Sequence, residues 1–211
     1  MKPKQTYRLH MILRCLCVSC VIVFGVISII GSGGGGGSSD GNQGDDNQIV
    51  ELTTSRDNKG VWFISGDPTE SLYNVFEAMG YAVATDRLWQ AETYRRSARG
   101  TLSEIFGSSQ LQSDILVRTI SYTDGELEAG FNQLSADLKE IINGYVAGFN
   151  HRIQEVRNDT TLLPYEFIII GQQLGIEFIP ADWTYKDVLA WLATLQRLFD
   201  PEAMKLDQTE N

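Results

Sequence analysis

The chain has 211 residues, of which 43% are hydrophobic and 21% charged, which is enough for one or two domains with a buried core and excludes a disordered protein. Its formal net charge is −10, and because residues 1–31 hold four basic and no acidic residues, the remainder carries 13 basic against 27 acidic residues. A domain this acidic lacks the positive surface that binding to nucleic-acid phosphates requires.

Residues 1–31 have the pattern of an export signal, because basic residues precede an apolar run from Leu16 to Gly31. A membrane-spanning helix needs about 20 apolar residues, so the shorter run favours a secretory signal. All three cysteines lie inside 1–31, where we interpret them as small apolar residues, so that no disulfide or cysteine metal site is expected. We expect a periplasmic protein, in contact with the inner membrane only through this segment if the signal is not cleaved.

Residues 32–48 are rich in Gly, Ser, Asp and Asn, and they predict a flexible linker because they bury too little apolar surface to offset the entropy of ordering. The folded region is expected at 49–200, with a tail at 201–211. It begins with a predicted β-hairpin, since two β-rich runs flank the turn sequence DNKG at 57–60. From Thr69 onward the period is helical, so the expected fold class is α+β, mainly α-helical with an N-terminal hairpin.

The clearest helix covers residues 136–157, in which apolar residues recur at steps of three and four, with Ser135 as its N-cap. His151 lies off that apolar stripe and is interpreted as a surface residue. A last helix is predicted from Tyr185 to Phe199. The apolar stretch LLPYEFIIIG at 162–171 fits a short buried helix or a strand, and its periodicity does not decide between them.

The segment GYAVATDRLWQAETYRRSARGTLSEIFG at 80–107 is dense in charged and aromatic residues. A helical run from Leu72 to Met79 precedes Gly80, and Gly100 and Gly107 are the predicted left-handed C-caps of two further helices. The sequences TLSE at 101–104 and TDGE at 123–126 match the capping box that begins a helix.

One face of this segment is predicted to be shared by Leu88, Ala91, Arg95 and Ala98, and Glu92 can reach Arg95 and Arg96 at i+3 and i+4. A charged, solvated helix would explain these pairs. Arginine forks also suit buried or interfacial contacts with carboxylates and carbonyls, so a helix inside a larger assembly is the sharper interpretation.

A series of short pieces lies in a fixed order from about residue 50 to 200: Asp57 with Gly60-Val61, GYA at 80–82, DRLWQ at 86–90, Arg95-Arg96, Gly100, Glu104, Asp114 and Arg118, YVAGFN at 145–150, Leu163-Pro164, DWT at 182–184 and DVLA at 187–190. The order of these pieces resembles the N-terminal part of the penicillin acylase (penicillin amidase) family.

The resemblance implies the α-chain portion of an αββα N-terminal-nucleophile hydrolase, which acts on carbon–nitrogen bonds other than peptide bonds. In that family a serine at the N-terminus of a β chain attacks the amide carbonyl, its own α-amine is the base, and the β chain supplies the oxyanion hole. The implied substrates are β-lactam side-chain amides, N-acyl-homoserine lactones and related acylated small molecules. The sequence ends at Asn211, about where an α chain finishes, and has no Ser-Asn pair of the kind that opens the β chain. We therefore expect no catalytic residue in this chain.

The resemblance also suggests roles for individual residues. Leu195 and Phe199 are the counterparts of acyl-pocket residues of the family, with simple core packing as the alternative. An interface role, holding the α chain to its β-chain partner, is suggested for Asp86, Arg87, Arg95 and Arg96. The family uses an α-chain glutamate as a calcium ligand, but the spacing of Glu202 is too short for that role to be carried over, so calcium is implied only for the complete enzyme.

Three hypotheses follow. The chain is the α-like portion of an acylase whose β portion is encoded separately or lost, or it is a truncated, non-catalytic remnant of one. The third hypothesis, from another class, is an exported helical binding module.

Overall fold

The computed structural model describes residues 52–66 and 69–199 of the chain. The predicted signal, linker and tail lie outside these ranges. Within them the protein is mostly helical and carries one two-stranded antiparallel hairpin, so the predicted fold class is confirmed. No helix in this part of the chain is long and apolar enough to cross a lipid bilayer.

The hairpin pairs β1 (Thr53–Arg56) with β2 (Trp62–Ser65), and Thr54 lies opposite Ile64. Its turn is held by the Asp57 carboxylate, which accepts hydrogen bonds from the backbone N–H groups of Lys59 at 2.9 Å and Val61 at 2.8 Å. Gly60 adopts a φ of 86°, which side chains disfavour. The predicted hairpin and its turn are therefore confirmed.

The helices follow in chain order, and residues 162–171 are helical rather than extended. Their bounds are α1 (Leu72–Arg99), α2 (Ser103–Phe106), α3 (Leu111–Ile120), α4 (Asp124–Asn132), α5 (Ala136–Asn158), α6 (Tyr165–Leu174) and α7 (Tyr185–Phe199), with short 3₁₀ turns at Ser108–Gln110 and Thr160–Leu162.

Local capping signals predicted two helix starts correctly and one wrongly. Ser135 accepts a hydrogen bond from the backbone of Leu138, and Thr123 forms a complete capping box with Glu126. The box predicted at Thr101 is absent, because the backbone N–H groups of Leu102 and Ser103 donate to the distant Asp114 carboxylate at 3.0 and 2.7 Å. Glu104, its expected acidic member, instead binds Arg96 at 2.8 Å.

Gly80 does not end a helix, which corrects the prediction of two separate helices around it. It lies inside α1, where a Cβ would come within 2.1 Å of the Tyr145 carbonyl oxygen on α5. Gly148 on α5 has the reciprocal role, since a Cβ there would lie 1.8 Å from the Glu77 carbonyl oxygen. These glycines let the two long helices touch backbone to backbone.

The glycines that do follow helices behave differently from each other. Gly100 has φ 63° and ψ 50°, so the left-handed cap predicted for α1 is confirmed. Gly107 has φ 79° but ψ −171°, so it follows α2 without the predicted left-handed cap.

The core lies between α1, α5, α6 and α7. Phe149, Ile153 and Val156 on α5 and Phe167 on α6 are fully buried, and the predicted buried face of α1 is confirmed by Leu88, Ala91 and Ala98. Pro164 directly precedes α6, where the missing N–H of proline costs a helix nothing.

Candidate functional site

A cleft of roughly 200 Å³ opens between α1, α5, α7 and the segment that leads into α7. It is smaller than most pockets that enclose a drug-sized ligand, which have about 300–1,000 Å³. The described residues that line it are mainly aromatic and aliphatic and include no Asp, Glu, Lys, His, Ser or Cys: Met79, Val83, Arg87, Gln90, Ala91, Tyr94, Tyr145, Trp183, Val188 and Trp191.

Aromatic rings form the walls of the cleft. Tyr94 and Trp191 stack with centroids 4.4 Å apart and planes 8° from parallel, and the Gln90 amide donates to the Tyr94 hydroxyl. Burial raises the pKa of Tyr145 far above its ordinary value, so this phenol stays neutral at physiological pH.

Trp183 is held in place by a reciprocal pair of hydrogen bonds across the fold. Its backbone N–H donates to the Asn150 side chain at 2.7 Å, and the Asn150 amide donates to the Trp183 carbonyl at 2.9 Å. The pair joins α5 to the segment before α7. The segments YVAGFN and DWT are each recognisable in the sequence, but no sequence pattern predicts that they meet.

Arg87 is the charged residue of the cleft. It interrupts the helical backbone of α1, with φ −134° and ψ 22°, and its side chain is exposed. Within residues 52–66 and 69–199, its guanidinium has no hydrogen bond or ion pair. The cleft therefore presents a positive charge that no described residue compensates.

Asp86, its neighbour, faces the hairpin. The Asp86 carboxylate accepts a hydrogen bond from the Trp62 indole at 2.9 Å and pairs with Arg56 at 3.0 Å. Asp86 thus connects the hairpin to α1. An interface role for Asp86 stays a prediction.

Arg95 and Arg96 are turned into the protein. Both bind Glu92, which is only 1% exposed. Arg95 also donates to the carbonyls of Ala181 and Asp182, at 3.3 and 3.1 Å. The pair braces the chain's own elements, and the interface role suggested for it stays a prediction.

Leu195 and Phe199 are not brought to the cleft. Both lie toward the C-terminal end of α7, where Leu195 is half-buried and Phe199 is 71% exposed. The cleft instead uses Val188 and Trp191 of the same helix. The acyl-pocket role of Leu195 and Phe199 stays a prediction. His151 is exposed, as expected of a surface residue.

The described ranges contain no group of three or more His, Cys, Asp or Glu residues arranged to hold a metal ion. Glu202 lies outside the described residues, and calcium in the complete enzyme stays a prediction. The described lining of the cleft holds no serine, threonine or cysteine side chain.

The sequence pattern of the penicillin amidase family matches residues 51–210. Penicillin G acylase from Escherichia coli is 32% identical over 159 residues, which are 74% of this chain and 18% of that protein. The penicillin acylase 2 proenzyme of Pseudomonas sp. (strain SE83) is 31% identical over 122 residues, 58% of this chain and 15% of the relative. Acyl-homoserine lactone acylase QuiP from Pseudomonas fluorescens (strain Pf0-1) is 34% identical over 84 residues, 39% of this chain and 10% of the relative.

Among solved structures, a thermostable penicillin G acylase from Alcaligenes faecalis matches with a TM-score of 0.62 and 30% identity, over 76% of this chain and 81% of that one. The chain thus spans less than a fifth of the length of these curated relatives, but most of one chain of the solved structure. Because the family pattern covers every helix and strand described above, the chain belongs to the penicillin amidase family.

Proposed function

We propose that this chain is the N-terminal, α-chain part of a penicillin-acylase-like amidohydrolase. The observation that carries the proposal is the difference in coverage. The chain matches 18% of the Escherichia coli acylase but 81% of one chain in the Alcaligenes faecalis structure. A portion of comparable size is therefore a chain of its own in a solved acylase, which supports a β chain as the partner here.

In this proposal the catalytic serine belongs to the β chain. The composition of the cleft supports that division, because its described lining offers aromatic rings, one guanidinium and one amide but no serine, threonine or cysteine. The α chain would then shape and brace the assembly, while the β-chain serine and its α-amine perform the acyl transfer.

The substrates we propose are acylated small molecules with a linear amide bond, such as β-lactam side chains or N-acyl-homoserine lactones. Relatives named as penicillin acylases and as an acyl-homoserine lactone acylase support this class. We further propose export to the periplasm, supported by the basic and apolar pattern of residues 1–31.

The test is to produce the full chain alone and together with a β-type polypeptide encoded directly downstream. Each sample is assayed with chromogenic phenylacetyl and fatty-acyl amides. We expect no turnover by the chain alone, turnover by the pair, and loss of turnover when the first serine of the β chain is replaced by alanine. Turnover by the chain alone would place the nucleophile elsewhere, and an inactive, fully assembled pair would favour the non-catalytic remnant.

A further inference from the structure

We propose that the cleft around Arg87, Tyr94 and Trp191 receives a segment of the partner chain that carries an Asp or Glu side chain next to an apolar one. This inference rests on the proposed two-chain acylase, because the β chain supplies the segment. Of the four residues suggested for the interface, Asp86, Arg87, Arg95 and Arg96, it assigns the docking contact to Arg87.

Arg87 differs from every other arginine within residues 52–66 and 69–199. All the others bind a carboxylate, a carbonyl or a hydroxyl of the chain itself, namely Arg56, Arg95, Arg96, Arg99, Arg118, Arg152, Arg157 and Arg197. In this part of the chain, the guanidinium of Arg87 alone has no such partner. A planar fork with five donors is suited to a carboxylate from outside.

The surroundings of Arg87 favour an anionic group that arrives with an apolar neighbour. The chain as a whole carries a net charge of −10, yet none of the described residues that line the cleft is acidic. Asp86, adjacent in sequence, is occupied by Arg56 and Trp62 of the hairpin. The cleft is therefore a positive, apolar site on an acidic protein, which selects its partner by charge complementarity.

The form of the cleft favours a polypeptide segment over an enclosed small molecule. Tyr94 remains 38% exposed beside its stacking partner Trp191, and Arg87 and Gln90 are exposed at the same opening. More than four fifths of the Escherichia coli relative lies outside the portion that this chain matches. Exposed tyrosine, tryptophan and arginine side chains of this kind are the residues that most often dominate the energy of a protein–protein contact once a partner covers them.

The experiment selects random displayed peptides on the full chain and measures their affinity with Trp fluorescence and calorimetry. We expect selected peptides to share an Asp or Glu beside an aromatic or aliphatic residue and to compete with one another. Arg87→Gln should weaken their binding by about tenfold, since truncating a charge contact removes one anchor. Lys59→Gln removes a positive charge from the exposed hairpin turn and is the matched control, expected to change nothing.

Two further variants test the geometry. Arg87→Glu should reverse the selection, so that peptides with Lys or Arg in place of the acid are now enriched. Gln90→Trp fills the opening from an exposed position and should abolish binding without disturbing the core.

Three outcomes would overturn the proposal: no peptide is enriched, the selected peptides bind Arg87→Gln as well as the unmodified chain, or phenylacetate binds the cleft while peptides do not. None of these measurements uses acylase activity. If peptides bind but the assembled pair is inactive, the proposed function is refuted and this inference stands. If the pair is active but no peptide binds, this inference is refuted and the proposed function stands.

Discussion

The two halves of the segment 86–99 both contain arginine but use it in opposite ways. In the second half, the guanidinium groups of Arg95 and Arg96 pair with the buried carboxylate of Glu92, which compensates their positive charge within the chain. In the first half, Arg87 faces an acid-free cleft and binds nothing within the described part of the chain. Glu92 lies at i−3 of Arg95 and i−4 of Arg96 and holds both to the fold, whereas Arg87 has Ala84 and Val83 at the corresponding positions.

The comparison predicts its largest effect at Glu92. Glu92→Gln removes the charge that compensates two largely buried guanidinium groups, and we expect a loss of about 3–5 kcal/mol in the free energy of unfolding. Denaturant titration followed by circular dichroism measures it. Glu104→Gln is the matched control, because Glu104 binds only Arg96 and is 59% exposed, and it should cost no more than about 1 kcal/mol. Equal effects of the two variants would contradict the contrast drawn here.

The features that the sequence predicts correctly depend on neighbouring residues. The turn at 57–60, the box at Thr123 and the cap at Ser135 each involve atoms within four residues of one another. The pairing of Glu92 with Arg95 and Arg96 is equally local. Such contacts are readable because helix and turn geometry fixes the spacing.

The features that the sequence misses depend on distant residues. Gly80 looks like a helix end until Tyr145 is known to lie against it, and the start of α2 is capped by Asp114 rather than by Thr101. The cleft joins Arg87 to Trp191, more than 100 residues later. The one signal for the cleft in the sequence is that Arg87 has no acidic residue three or four positions away on its helix. Its neighbour Asp86 is bound to the hairpin.

A second prediction tests how much the close contact between α1 and α5 contributes to stability, since this contact positions the helix that carries residues 86–92. Gly148→Ala places a methyl group against the Glu77 backbone, and we expect destabilisation by about 2–3 kcal/mol, because backbone cannot move aside as a side chain can. Gly130→Ala in α4 meets nothing within 4 Å and should be neutral or slightly stabilising. Thermal unfolding distinguishes them, and a neutral Gly148→Ala would show that the helices can separate freely.

A third prediction concerns Asp114, whose carboxylate binds the backbone of Leu102 and Ser103, just after the segment 86–99 ends. Burial alone would raise the pKa of Asp114, but hydrogen bonds from Ser103 and Leu102 and the charge of Arg118 outweigh it and lower the pKa below the ordinary value of 3.8. A lowered pKa contributes stability at pH values above the ordinary pKa, and that stability is lost as the pH falls through the folded-state value. Asp114→Asn should therefore cost about 2 kcal/mol at neutral pH.

The pH dependence is the specific check for Asp114. The difference in unfolding free energy between the unmodified chain and Asp114→Asn should shrink as the pH falls from 3.8 through the lower folded-state pKa, below which both folded proteins carry an uncharged group at this position. Denaturant titrations at neutral and acidic pH measure this difference. A difference that stays constant across the range would assign the effect to side-chain shape rather than to charge.

The smallest expected effect on stability is at Arg87, and it separates the two halves most directly. Arg87→Gln removes an exposed guanidinium with no partner in the described part of the chain, so the free energy of unfolding should change by no more than about 0.5 kcal/mol. Arg95→Gln, which breaks contacts with Glu92 and with the carbonyls of Ala181 and Asp182, should cost several times as much. If the chain tolerates Arg87→Gln but not Arg95→Gln, the arginine at residue 87 is not needed for folding. A large loss of stability with Arg87→Gln would mean that the interruption of α1 needs this side chain.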